Sequence, residues 1–219
     1  MVGNTPLVAQ PMVVGALVDR LGFSERQAGL VAAAQLFGLT IGILAMMPAV
    51  GRIRRSTLAF FAVAIIMTAN VFTCLVRTFE PIVVLQLLSW VGAAAAFCVF
   101  TSMAAADRHP ENAFAIVNAI SIAYSGVVNL LAPTLLAREG LAGILLGLSF
   151  VAMLALTTLP WLRTWAGPSA GPTQRGSWIF PAPAAVLPLL AMMLVLYTGH
   201  GAIWGYQERI GIEAGLSES

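Results

Sequence analysis

Six stretches of this chain, each long enough to cross a bilayer as a helix, contain no Asp, Glu, Arg or Lys: 27–50, 57–76, 81–106, 112–136, 140–162 and 182–206. Charges sit between the stretches and punctuate the chain at regular intervals. A spanning helix needs roughly 20 mainly apolar residues, and a charge at mid-bilayer costs kilocalories. A seventh apolar segment, 2–18, precedes them. Helices are the expected form, because an isolated span must satisfy its own backbone hydrogen bonds. Barrel strands would be about half as long and would alternate strictly. The predicted fold class is therefore an all-α membrane protein of about seven transmembrane helices.

Composition agrees. Of the 219 residues, 59% are hydrophobic and 9% charged, and the mean hydropathy is +0.91. A soluble domain normally carries about 25% charged residues, so this chain lacks the polar surface to cover a water-soluble globule. The net charge of +2 comes entirely from arginine, since the sequence has no lysine. So small and scattered a charge excludes a nucleic-acid partner. The absence of lysine excludes a retinal Schiff base and a lysine-bearing phosphate loop. Cys74 and Cys98 fall inside apolar stretches and read as small buried hydrophobes rather than a disulfide or metal framework. The N-terminus shows no basic region or cleavage site of a signal peptide.

Residues 163–181, rich in Pro, Gly and Ser, form the longest polar connection. By composition this is a linker, dividing a six-helix bundle at 1–162 from one further helix and its loop at 182–219. Trp161, Trp165 and Trp178 flank or lie within it, as interfacial aromatics do. A short repeat supports the division. Asp19-Arg20-Leu21-Gly22-Phe23-Ser24-Glu25 follows the first segment, and Glu208-Arg209-Ile210-Gly211, then Gly215-Leu216-Ser217-Glu218, follows the last. Parallel six-helix halves related by an axis along the membrane normal have this kind of repeat. With the N-terminus inside, the inner loops carry Arg52, Arg54, Arg55, Arg108, Arg163 and Arg175, and the outer ones Arg20, Arg26, Arg77, Arg138 and Arg209. The Arg52/Arg54/Arg55 cluster in its short loop favours that orientation.

Six spans before a linker, the matching helix ends, and the loop from Gly42 through Gly51-Arg52-Ile53-Arg54-Arg55 together resemble the major facilitator superfamily of secondary transporters. In that family the loop's signature has an acidic residue where Gly51 stands, and a further Gly before the last basic residues; both are missing here. The resemblance spans nearly the whole chain but about seven of twelve helices. It implies a fragment lacking the start of helix one and helices eight to twelve. The implied function is transport of a small molecule by alternating access, across the plasma membrane and most simply a bacterial inner membrane. The alternative is a non-transporting membrane protein, either a degenerate remnant or a helical partner subunit. A seven-helix receptor would leave the six-plus-one division without a role.

Candidate site residues follow from polarity inside the apolar segments. Asn118, Ser121, Ser125 and Asn129 lie at i, i+3, i+7 and i+11, on one helical face. They are expected to face protein or water, either as interhelical hydrogen bonds or as a cavity wall. The resemblance makes helices one, four and seven the lining of a central cavity, which singles out Asn4, Gln10, Gln86, Tyr197, His200 and Trp204. His200 is the one candidate within an apolar segment whose side chain ordinarily changes charge near neutral pH, which makes it the candidate for a coupling proton. No enzyme signature, paired intramembrane carboxylates or metal-ligand spacing is present, so neither catalysis, a cofactor nor a metal is expected. The expected partners are the lipid bilayer and a small-molecule substrate. Gly38/Gly42, Gly143/Gly147 and Gly201/Gly205 have the four-residue spacing that allows close helix approach.

Overall fold

The computed structural model describes residues 5–46, 48–50, 52–158 and 160, with a few isolated positions beyond 187. The linker at 163–181 and most of 182–219 lie outside the described residues. Within them the fold is all-α: α1 (Thr5–Leu21), α2 (Glu25–Met46), α3 (Arg55–Leu75), α4 (Phe79–Ala104) and a long element, α5 (Pro110–Ala155), closed by a 3-10 turn at Leu156–Thr158.

Seven spans were expected; among the described residues four helices are long and apolar enough to cross a membrane: α2, α3, α4 and the element starting at Pro110. As described, α1 has 17 residues, just under a full span, and 182–206 lies outside the described residues. The long element is not one rod. At 46 residues it would run about 69 Å at 1.5 Å per residue, more than twice the roughly 30 Å hydrocarbon core. Instead it breaks at Gly140, whose φ of 65° and ψ of −152° are not helical and suit a residue without a Cβ. The chain then folds back on itself. A Cβ added at Gly143 would sit 2.8 Å from the Leu135 carbonyl oxygen, and one at Gly147 3.5 Å from Leu135 Cδ1. In a straight helix those backbones would be about 12 and 18 Å apart. The expected boundary between a fifth and a sixth helix, at 136–140, is therefore a helical hairpin joining 110–139 to 141–155.

The first connection shows how the sequence writes such ends. Gly22 takes φ 69° and its N–H returns to the Val18 carbonyl at 3.1 Å, a glycine stop of the left-handed kind. Ser24 then caps α2. Its Oγ accepts from the Gln27 N–H at 3.3 Å, while Gln27 Oε1 accepts from the Ser24 N–H at 3.0 Å, the reciprocal capping pair. The motif read as a repeat after the first segment is thus also a helix stop followed by a helix start. Phe23 lies edge-on to Phe79, with ring centroids 5.9 Å apart, tying this loop to the start of α4.

One cluster gathers Val13, Val14 and Leu17 of α1 with Ala28, Val31, Ile82, Leu141, Ile144, Leu145 and Leu148. A second joins Val63, Ile66, Ala93 and Ala152. Many large apolar side chains point outward instead, including Phe37, Leu44, Phe61, Leu75, Ile122 and Leu130. For a helix bundle that meets lipid, this outward apolar surface is the expected one.

Candidate functional site

Polar side chains that enter a bilayer need partners, and here they find each other near the middle of α2. Gln10 Nε2 on α1 donates to Gln35 Oε1 on α2 at 3.4 Å. Gln35 Nε2 donates to Gln86 Oε1 on α4 at 2.9 Å. Gln86 Nε2 donates to Thr73 Oγ1 on α3 at 3.2 Å, and the Thr73 hydroxyl donates to the Ala69 carbonyl at 2.8 Å. Four helices are threaded by one chain of hydrogen bonds running in a single sense. One helical turn further along, Ser89 Oγ donates to Asn70 Oδ1 at 3.0 Å, again linking α4 to α3. All six side chains are buried, with 2–3% of their surface exposed.

Glycine makes this geometry possible. A Cβ on Gly38 would run into the Leu87 carbonyl, and one on Gly42 would lie 3.0 Å from Val91 Cα, so α2 and α4 approach backbone to backbone. At that separation a glutamine on each reaches the other. These contacts also fix direction. Gln35 meets Gln86 and Gly42 meets Val91, so α2 and α4 run parallel, while α3 packs antiparallel against α4 through Gln86–Thr73 and Ser89–Asn70.

Two of the predicted cavity residues, Gln10 and Gln86, are members of this chain. Gln35 and Thr73, also in the chain, and the separate Asn70–Ser89 pair were not singled out by the sequence. A signal existed: Asn70/Thr73 and Gln86/Ser89 are each spaced i, i+3 within an apolar segment, the same spacing that marked Asn118/Ser121. Asn118 and Asn129 are exposed, and Ser121 and Ser125 half-buried. Ser125 Oγ donates to the Ser121 carbonyl of its own helix at 2.8 Å, whereas the buried Ser121 Oγ has no hydrogen-bond partner among the described residues. Only the serine half of the expected stripe thus turns toward neighbouring protein. Asn4, Tyr197, His200 and Trp204 lie outside the described residues. Of the loop signature, Gly42 serves the α2–α4 contact, Arg52 and Arg54 are exposed, and Arg55 is half-buried at the start of α3.

Chemically the buried chain is neutral. Carboxamides and hydroxyls can hold helices in register or accept a polar solute, but they do not exchange protons near neutral pH. No group of three or more His, Cys, Asp or Glu suited to a metal ion occurs among the described residues. The chain matches no protein-family model, no curated protein and no solved structure.

Proposed function

We propose that this chain is one half of a secondary active transporter of a small molecule, working by alternating access in the manner of the major facilitator superfamily that its sequence resembles. The observation that carries the reading is the buried carboxamide chain. It joins Gln10 and Gln86, on the first and fourth helices that the resemblance makes cavity walls, to α2 and α3. Two further features support it. With the break at Gly140, six helical segments precede a composition-defined linker. The tight α2–α4 contact suits a half that must rock as a rigid body.

In this reading the polar chain locks α1 to α2, α3 and α4, so the half moves as one. Asn118 and Asn129 face the opposing half, where cavity water or a second bundle satisfies them. The Arg52/Arg54/Arg55 turn lies on the cytoplasmic side of the plasma membrane. Proton coupling falls to His200 or to groups in the opposing half, because every buried polar side chain among the described residues is neutral. That same neutrality favours the second reading, a non-transporting remnant or helical partner subunit, in which the polar chain is structural only.

Reconstitution separates the two. The chain extended by the five helices expected downstream in its gene should accumulate a solute in proteoliposomes under an imposed gradient. The 219-residue chain alone should insert and accumulate nothing. No flux from the extended protein across a broad solute panel, despite correct insertion, would discard the transporter reading. Robust flux from the short chain alone would discard the idea that half the cavity wall is supplied elsewhere.

A further inference from the structure

The bundle has two chemically different ends. Parallel α2 and α4 put the α2–α3 turn and the α4–α5 connection at one end. The α1–α2 and α3–α4 connections lie at the other, where Phe23 meets Phe79, together with the Gly140 break. That second end carries Asp19, Arg20, Glu25, Arg26, Arg77, Glu80, Arg138 and Glu139, four charges of each sign. The first carries Arg52, Arg54, Arg55 and Arg108 against only Asp107 and Glu111. Both of those acids have local contacts. Asp107 Oδ1 accepts the His109 backbone N–H at 3.0 Å, and Glu111 lies 3.6 Å from His109 Nδ1. No acidic residue occurs between Glu139 and Glu208 to add to them.

The arginines sit on a small, internally bonded turn. The Ala49 and Val50 N–H groups return to the Met46 carbonyl at 2.9 Å, and those of Arg52 and Ile53 return to Ala49 at 3.1 and 3.0 Å. Arg52 and Arg54 are exposed and have no ion pair among the described residues. Between them Ile53, 45% exposed, presents an apolar side chain beside two cations. The 22 residues of α2 rise about 33 Å, close to the roughly 30 Å hydrocarbon thickness, which places this turn at the level of the lipid phosphates.

We propose that the Arg52–Ile53–Arg54 turn is a docking surface for anionic phospholipid: the two guanidiniums take headgroup phosphates, and Ile53 rests on the upper acyl chain. Guanidinium is suited to phosphate because its fork of N–H donors matches two phosphate oxygens. A basic residue beside an anionic leaflet contributes on the order of a fivefold preference, the equivalent of about 1 kcal/mol. The proposal holds whether or not the chain transports anything.

A photo-crosslinker tests it where it acts. The full chain, with Ile53 replaced by benzoylphenylalanine, is reconstituted into phosphatidylcholine vesicles containing a minor share of phosphatidylglycerol. Lipid adducts are then identified by mass spectrometry. At low salt, phosphatidylglycerol adducts should exceed their bulk share severalfold. Arg52→Gln and Arg54→Gln should each cut that excess by up to about fivefold, whereas Arg20→Gln, at the balanced end, should leave it unchanged. The excess should also collapse in unsubstituted-arginine protein toward 1 M salt, where the screening length is about 3 Å, a reading that needs no arginine variant to fold. Adducts in proportion to bulk lipid at low salt, or an excess indifferent to the double Arg52→Gln/Arg54→Gln change, would overturn the proposal. So would displacement of the lipid by inorganic phosphate at constant ionic strength, which would make the turn a site for soluble phosphate instead.

Discussion

Two regions of this molecule carry neutral amide and hydroxyl side chains at the same i, i+3 spacing and use them in opposite ways. Asn70, Thr73, Gln86 and Ser89, on α3 and α4, are buried and bonded to one another. On residues 110–139, Asn118 and Asn129 are exposed, and Ser125 bonds only to its own helix. The difference lies in the neighbours. Gly92 brings α4 against α3, and Gly38 and Gly42 bring α2 against α4, until polar side chains meet, whereas a Cβ at Gly126 would touch nothing within 4 Å. A polar stripe marks a face that needs cover, and packing decides whether the cover comes from within the same bundle.

The comparison assumes that 110–139 and 141–155 are separate helices, and labelling can break that assumption outright. With Cys74 and Cys98 replaced by serine, single cysteines at Gly22, Thr78 and Arg138 should react with an impermeant reagent from one side of the membrane. Cysteines at Arg52 and Asp107 should react only from the other. Arg138 labelling together with Arg52 would remove the hairpin, and with it the exposed position of the Asn118–Asn129 stripe.

Next in size is the glycine contrast. Gly38→Ala forces a methyl into the Leu87 carbonyl, and overpacking of this kind costs about 1–3 kcal/mol. Gly126→Ala, in open space, should be neutral or should stabilise by up to about 1 kcal/mol through helix propensity. Reversible unfolding in mixed micelles measures both. Equal effects would mean that α2 and α4 are not in backbone contact.

Within the buried chain, Gln35→Leu removes the only residue that both accepts from Gln10 and donates to Gln86. Two buried polar groups lose a partner, at about 1–3 kcal/mol. In a double-mutant cycle, Gln35 and Gln86 should couple by about 0.6 kcal/mol, the usual value for polar pairs in a bilayer. Zero coupling would show that the two amides do not meet.

The smallest effects belong to the other region. Asn118→Leu and Asn129→Leu, both exposed, should each change the stability of the 219-residue chain by less than about 0.5 kcal/mol. On the proposed transporter reading, the same changes in a protein that carries the opposing half should impair solute flux more than Leu at Ile116 or Val127. Tolerance in both settings would leave the stripe without a functional role.

Much of this architecture was legible in the residues themselves. Among the described residues the apolar stretches set the helices to within a few residues, because a mid-bilayer charge costs too much to place elsewhere than between spans. Gly22, with Ser24 and Gln27, wrote one helix end and the next helix start through local backbone hydrogen bonds. Gly140 wrote a reversal that the expected boundary at 136–140 had anticipated. Gln10 and Gln86 were singled out through the resemblance, which makes the first and fourth helices cavity walls. What the sequence could not supply was which amide meets which: Gln10 and Gln35 are 25 residues apart, and Gln35 and Gln86 are 51. Helical periodicity assigns a residue to a face of its own helix but carries no information about the helix opposite. That was decided by backbone approach, at Gly38 and Gly42 between α2 and α4 and at Gly92 between α4 and α3, a property of two helices together, and it turned one polar stripe inward while leaving the asparagines of another uncovered.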